Sequence, residues 1–349
     1  MGIVQTSIQI GGQDVQHFVL TNRHGMVSEL MSWGATLVDV RTADRDGVVE
    51  SVTLAHEDIG TYHENGPYFG CIVGRVAGRI AHGRFHLDGQ NHQLPTNQGL
   101  HHLHGGADAM SHQVWQVGEV SESERGLSVA FHYHSEADEN AYPATLKVSV
   151  TYVLNDENQL SVDYQANADA PTLCNLTHHA YFNLSGNARR TVHDHALQVH
   201  AAAVCEMDAD LLVTGGEWLV ANSNFDFRTL HTLDAALRSD DARLILARGI
   251  DHYFVLNDVI DHQPQVVLQD EISGRRLQVF TDQPCVVLYA HNYAGGESLR
   301  HGMVGQSHDA LCIETQKLPH RSLPNGDHAV ALYPHQTYRQ HTRFCFDTV

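Results

Sequence analysis

Leu146-Lys-Val-Ser-Val-Thr-Tyr-Val-Leu154, Asn155-Asp-Glu-Asn158 and Leu160-Ser-Val-Asp-Tyr-Gln-Ala166 follow one another without interruption in the chain. In both flanking runs apolar and polar residues alternate, the period-2 signature of a strand with one buried face. The Asn/Asp segment between them supplies turn chemistry, so the stretch reads as a hairpin. The same rhythm recurs on both sides of it. Strands are predicted at 6–10, 16–20, 32–40, 48–54 and 127–133, and again at 196–204, 250–256, 265–270, 276–281, 284–290, 310–316 and 337–346. Residues 84–94 read as a second hairpin turning at Asp88-Gly89. The best helix signal is Thr232-Leu-Asp-Ala-Ala-Leu-Arg238, with Thr232 in position to cap it. No linker, repeat or shift of composition marks a boundary. The prediction is a single all-β domain over residues 1–349, a large antiparallel β-sandwich.

The chain has 349 residues, 42% hydrophobic and 18% charged, with a formal net charge of −20. That acid excess disfavours nucleic acid or an anionic membrane as partner, since both require basic patches. Six cysteines (Cys71, Cys174, Cys205, Cys285, Cys312 and Cys345) stand singly, as buried thiols do in a reducing compartment. With no secretory-type N-terminus and no apolar run of membrane-spanning length, a cytoplasmic location is expected. The N-terminal Met-Gly-Ile-Val-Gln-Thr matches a myristoylation pattern but has no second membrane signal nearby.

The stretch Asn175-Leu-Thr-His-His-Ala-Tyr-Phe-Asn183 is the most informative for function. Read as one strand, it puts Leu176, His178, Ala180 and Phe182 on one face. Asn175, Thr177, His179, Tyr181 and Asn183 take the other. A face of amides, hydroxyls and an imidazole is poor core material and suits a cleft. His178 is therefore assigned to the core and His179 to chemistry. In Ala310-Leu-Cys-Ile-Glu-Thr-Gln316 the same rule puts Cys312, Glu314 and Gln316 on one face. Glu314 then reads either as a solvent-facing glutamate on an edge strand or as a cleft carboxylate in the general-base range.

Other segments are less specific. His101-His102-Leu103-His104 invites a metal reading, but no glutamate or cysteine joins it at ligand spacing, and no metal is expected. Arg75 and Arg79 offer guanidinium donors for a polar ligand, and Asp251 stands at a strand start. His193-Asp-His195 reads as a solvated turn. G-x-S-x-G, P-loop, H-E-x-x-H and kinase patterns are all absent. What remains is an imidazole, a carboxylate, arginines and amides, an inventory for acid–base work on a neutral, hydroxyl-rich molecule.

Six segments together resemble the aldose 1-epimerase (galactose mutarotase) family. They are Gly74-Arg-Val-Ala-Gly-Arg-Ile80, Leu103-His-Gly-Gly106, Asn175 to Leu184, Phe225-Asp-Phe-Arg228, Gly249-Ile-Asp-His252 and Ile313-Glu-Thr-Gln316. The resemblance implies the galactose mutarotase-like supersandwich and interconversion of the α and β anomers of free hexoses such as galactose and glucose. It implies Glu314 as general base and His179 as general acid, with Arg79, His104, Asp251 and Tyr181 as substrate-binding residues. Acid and base are expected on opposite sides of the sugar, and neither metal nor organic cofactor is expected. A monomer or homodimer is anticipated. Two positions depart from the family pattern: Gly78 stands where an Asn is usual, and Val287 where a sugar-contacting Gln is frequent. They bear on sugar preference, so a modified or acidic sugar is one alternative. A non-catalytic carbohydrate-binding protein on the same fold is another.

Overall fold

The computed structural model describes residues 1–257, 263–318 and 326–349. About 49% of it is strand and 9% helix, which makes the chain all-β as its alternation demands. The opening hairpin forms as read: Leu146–Leu154 pairs antiparallel with Gln159–Ala168 over its full length. It belongs to a nine-stranded antiparallel sheet that runs from Gln116–Ser123 through Tyr338–Thr348 to His231–Thr232.

A six-stranded antiparallel sheet lies against it. Its order is Tyr181–Phe182, Leu311–Gln316, Cys285–Tyr289, Asp251–Leu256, Ala201–Met207 and Val213–Leu219. The N-terminal strands Gly2–Ile10 to Val49–Ser51 form a third sheet, of five strands. One apolar cluster joins all three. Phe18 and Leu37 come from the N-terminal sheet, Phe131, Tyr152 and Phe344 from the large sheet, and Phe254, Leu288 and Ile313 from the six-stranded one. Burying each such side chain contributes about 1.5–3 kcal/mol. Because strand residues alternate, committing Phe254, Leu288 and Ile313 to the core aims Tyr253, Val287 and Glu314 the other way.

The structure departs from the sequence reading in four places. The run at 32–40 is broken: one strand ends at Met31 and the next begins at Thr36. Between them Gly34 and Ala35 take positive φ, so the chain turns. The run at 196–204 divides at His200 between two sheets. The helix is only Asp234–Leu237, and Thr232 pairs in a strand instead of capping it. Most consequentially, 175–183 is not one strand. Thr177–His178 pairs with Ile72–Val73, and Tyr181–Phe182 pairs with Leu311–Gln316. Among the described residues no helix is long and apolar enough to cross a membrane.

Candidate active site

The outward face of the six-stranded sheet forms the floor of a cavity of about 780 Å³. Two cross-strand rows build it. Asp251 lies opposite Tyr289, Tyr289 opposite Cys312, and Cys312 opposite Tyr181. Two residues along, Tyr253 lies opposite Val287 and Val287 opposite Glu314. Glu314 is thus on an inner strand, which removes the solvent-facing alternative. It is 3% exposed.

His179 enters from the break in the 175–183 stretch, where the chain leaves one short strand for the next. Its Nε2 lies 3.5 Å from Glu314 Oε1. Its Nδ1 lies 3.6 Å from the Cys312 thiol. The two groups therefore stand side by side, not across the sugar from one another as expected. The Tyr181 ring stacks on the imidazole with centroids 5.1 Å apart, and Tyr68 lies at 6.1 Å. Burial pushes the His179 pKa down to about 4, with His291 adding to the fall. Burial pushes Glu314 well above the carboxylate range; Asp251 adds to this and Arg79 opposes it. Each group favours its neutral form, so between the two titrations the pair holds one proton.

The Gly74–Ile80 and Leu103–Gly106 motifs are two sides of one clamp. Arg79 pairs with Leu103 and Ile80 with His102 across a short ladder. The His104 N–H donates to Gly78 O at 3.1 Å, and the Gly78 N–H donates to His104 Nδ1 at 3.2 Å. An acceptor Nδ1 on a neutral imidazole leaves the ring proton on Nε2. His104 is neutral because burial holds its pKa well below the usual value, with His179 and Arg79 nearby. A side chain at Gly105 would be strained and would collide: its φ is +88° and a Cβ would fall 1.8 Å from Gly74 O. Arg79 donates from Nε to Gln98 Oε1 at 2.7 Å and brings Nη2 to 4.0 Å from Asp251 Oδ2. Burial raises the Asp251 pKa, and Arg79 opposes the rise.

All six residues singled out from the sequence (Glu314, His179, Arg79, His104, Asp251 and Tyr181) line this one cavity. Tyr181 does so with its ring, since its hydroxyl donates to Pro67 O at 2.7 Å. The rest of the polar face is engaged internally: Asn175 bonds Gln316 and Lys317, Thr177 bonds Thr315 O, and Asn183 bonds the carbonyls of Arg190 and Asp309. Arg75 is not a ligand residue. It is buried and donates to Ser135, Glu136, Pro143, Ala144 and Thr172, tying loops together. His195 is buried rather than solvated, accepting from Leu184 N–H at 2.8 Å. His178 sits between the Tyr152 and Phe344 rings in the core, as its alternation indicated.

Metal donors do not gather at the 101–104 loop. His102 Nδ1 bonds Pro95 O, and its Nε2 bonds the Tyr142 hydroxyl. Among the described residues, His179, Cys312 and Glu314 are the one group with donor atoms close enough to share an ion, within 4.8 Å of one another. Two of them, His179 and Glu314, are the neighbouring imidazole and carboxylate described above. Sequence reading missed Tyr68, Tyr253, Tyr289 and His291, which also line the cavity. Alternation from Asp251 would have found Tyr253, two residues on. Tyr68 stands in a turn with φ +61°, and no periodicity marks it.

An all-β scaffold with a carboxylate–imidazole pair at the floor of a polar cleft defines a sugar isomerase of the epimerase class. The chain belongs to the aldose 1-epimerase family, whose profile matches residues 16–345. It is 35% identical over 337 residues to a galactose mutarotase of Rattus norvegicus, covering 96% of this chain and 95% of that one. It is 32% identical over 342 residues to the aldose 1-epimerase of Escherichia coli strain K12, covering 96% of each. Among solved structures, a galactose 1-epimerase from Lactobacillus acidophilus superposes with a TM-score of 0.86 at 30% identity, covering 99% of this chain and 98% of that one. An aldose epimerase homologue from C. elegans gives 0.85 at 28%, covering 99% and 100%. The family and fold implied by the six sequence motifs are both borne out.

Proposed function

We propose that the chain is a hexose mutarotase in which Glu314 and His179 perform the proton transfers. The observation that carries the reading is their 3.5 Å separation at the floor of the cavity. Opening a pyranose requires removing a proton from the C1 hydroxyl and adding one to the ring oxygen. Both oxygens are bonded to C1, so an acid and a base standing side by side can reach them together. With the shared proton on His179, Glu314 is a carboxylate and His179 an imidazolium. Glu314 takes the hydroxyl proton and His179 Nε2–H protonates the ring oxygen, leaving a carboxylic acid and a neutral imidazole. The aldehyde turns about C1–C2, and the two groups exchange roles as the ring closes on its other face. No net proton is gained or lost, which suits a pair holding one proton between them.

The surrounding groups position the sugar. The Arg79 guanidinium donates, Asp251 accepts, and His104 presents Nε2–H to a neighbouring oxygen. Tyr181, its hydroxyl held by Pro67, steadies the His179 ring. The chain works as one domain on a free sugar in the cytoplasm, as monomer or homodimer, without nucleic acid, membrane or metal. Polarimetry of freshly dissolved α-glucose and α-galactose tests the reading. Rates no faster than buffer with both sugars would defeat it.

A further inference from the structure

Gly78 has φ +81°, and a Cβ at this position would lie 2.2 Å from the hydroxyl oxygen of Tyr253. A side chain at 78 and a hydroxyl at 253 therefore compete for the same space. The Tyr253 hydroxyl holds it, beside Arg79 and within the cavity that contains Glu314. Tyr253 is 5% exposed as a residue and lines the cavity. A hydroxyl that lines the cavity can both donate to and accept from a ligand there. The register locates that ligand atom. Across the sheet the order is Glu314, then Val287, then Tyr253, one strand apart each, while His179 stands on the other flank of Glu314. With the C1 hydroxyl at Glu314 and the ring oxygen towards His179, C2 extends over Val287 and C3 towards Tyr253. Val287 is apolar and buried, offering C2 no hydrogen bond.

Resting on the mutarotase reading, we propose that the Tyr253 hydroxyl binds the C3 hydroxyl of the sugar. In the same arrangement Val287 leaves C2 unread. The substrate class is thus an aldose defined at C3 and indifferent at C2, including 2-deoxy sugars and C2 epimers. Tyr253 is both donor and acceptor, so it complements Arg79, which only donates.

The experiment is polarimetry or anomer-resolved NMR on wild type and Tyr253→Phe, with glucose, 2-deoxyglucose, 3-deoxyglucose and 4-deoxyglucose. Wild type is expected to turn over 2-deoxyglucose with kcat/KM within about threefold of glucose. Tyr253→Phe is expected to lose roughly tenfold in kcat/KM on glucose, 2-deoxyglucose and 4-deoxyglucose, the loss of one neutral hydrogen bond, mostly through KM. On 3-deoxyglucose it should lose nothing further. An equal loss on 3-deoxyglucose, a loss cancelled by a different deoxy position, or no loss on glucose would overturn the proposal. So would a wild type that rejects 2-deoxyglucose. Absence of wild-type mutarotation with any sugar would defeat the underlying reading instead. Gly78→Ala gives an independent check: its damage to KM should be smaller in the Tyr253→Phe background, where the colliding oxygen is gone. Equal damage in both backgrounds would show that the two positions do not compete.

Discussion

The thiol of Cys312 lies 3.6 Å from Nδ1 of His179, whose Nε2 lies 3.5 Å from Glu314. Burial first, then Glu314 and Asp251, hold the Cys312 thiol well above its ordinary pKa, so it keeps its proton. As a neutral thiol its sulfur is a weak acceptor for Nδ1–H, which leaves Nε2 to exchange the shared proton with Glu314. Cys312→Ala is expected to lower kcat about fivefold, from loss of a weak tautomer-setting contact, with KM little changed. Cys312→Ser, which retains an acceptor, should recover most of the rate. An alanine variant with wild-type kcat would remove Cys312 from the mechanism.

Glu314→Gln and His179→Asn should each reduce kcat by about 10²–10⁴-fold, the usual contribution of a positioned acid or base. Because the two act as a unit, the double variant should be scarcely worse than the more damaged single one. Polarimetry on all three variants decides this. Multiplicative losses would mean that the residues work independently.

The pH–rate profile follows from the shared proton. The His179 pKa is pushed down to about 4 and Glu314 is pushed up, so a second proton enters only below about 4. The last proton leaves only well above the carboxylate range. The kcat/KM profile should therefore have its acid limb near pH 4 and its alkaline limb above the ordinary carboxylate range. An acid limb centred near 6.5, as for an ordinary histidine, would contradict the buried pair.

Stability should fall on mild acidification. Burial holds His178 and His252 at about 3, and His195, His291 and His328 at about 4. Unfolded, each takes a proton near pH 6.5, whereas the native state refuses it. More protons bound by the unfolded state means stability lost as pH drops from about 6.5 towards 4. The raised carboxyls of Asp251, Asp309 and Glu314 act with the opposite sign, but they are fewer. Urea midpoints at pH 7, 5.5 and 4.5 should decrease steadily. A constant midpoint between pH 7 and 5 would show that these imidazoles are not held neutral.

Gly105→Ala should destabilise the chain by about 3 kcal/mol, combining a disfavoured positive φ with a collision against Gly74 O. The thermal midpoint should drop, and KM should rise because His104 is the neighbouring residue. A variant with unchanged midpoint and KM would remove the clamp from the account.

Local pattern determined a good deal of this protein. Alternation specified most strands, the opening hairpin and the all-β class, because one buried face leaves a period-2 trace in any strand long enough to show it. The same trace separated His178 from His179, and the separation survived although the strand it assumed is broken in two. The six motifs, in order, identified the family.

Tertiary structure decided what the sites are made of. Arg75 and Arg79 look alike in the sequence, yet one is walled in by carbonyls and the other opens on the cleft. The His179–Cys312 contact, the side-by-side acid and base, and the competition between Gly78 and Tyr253 join residues far apart in the chain. Periodicity records which face a side chain takes, but cross-strand register and loop packing decide which partner it meets there.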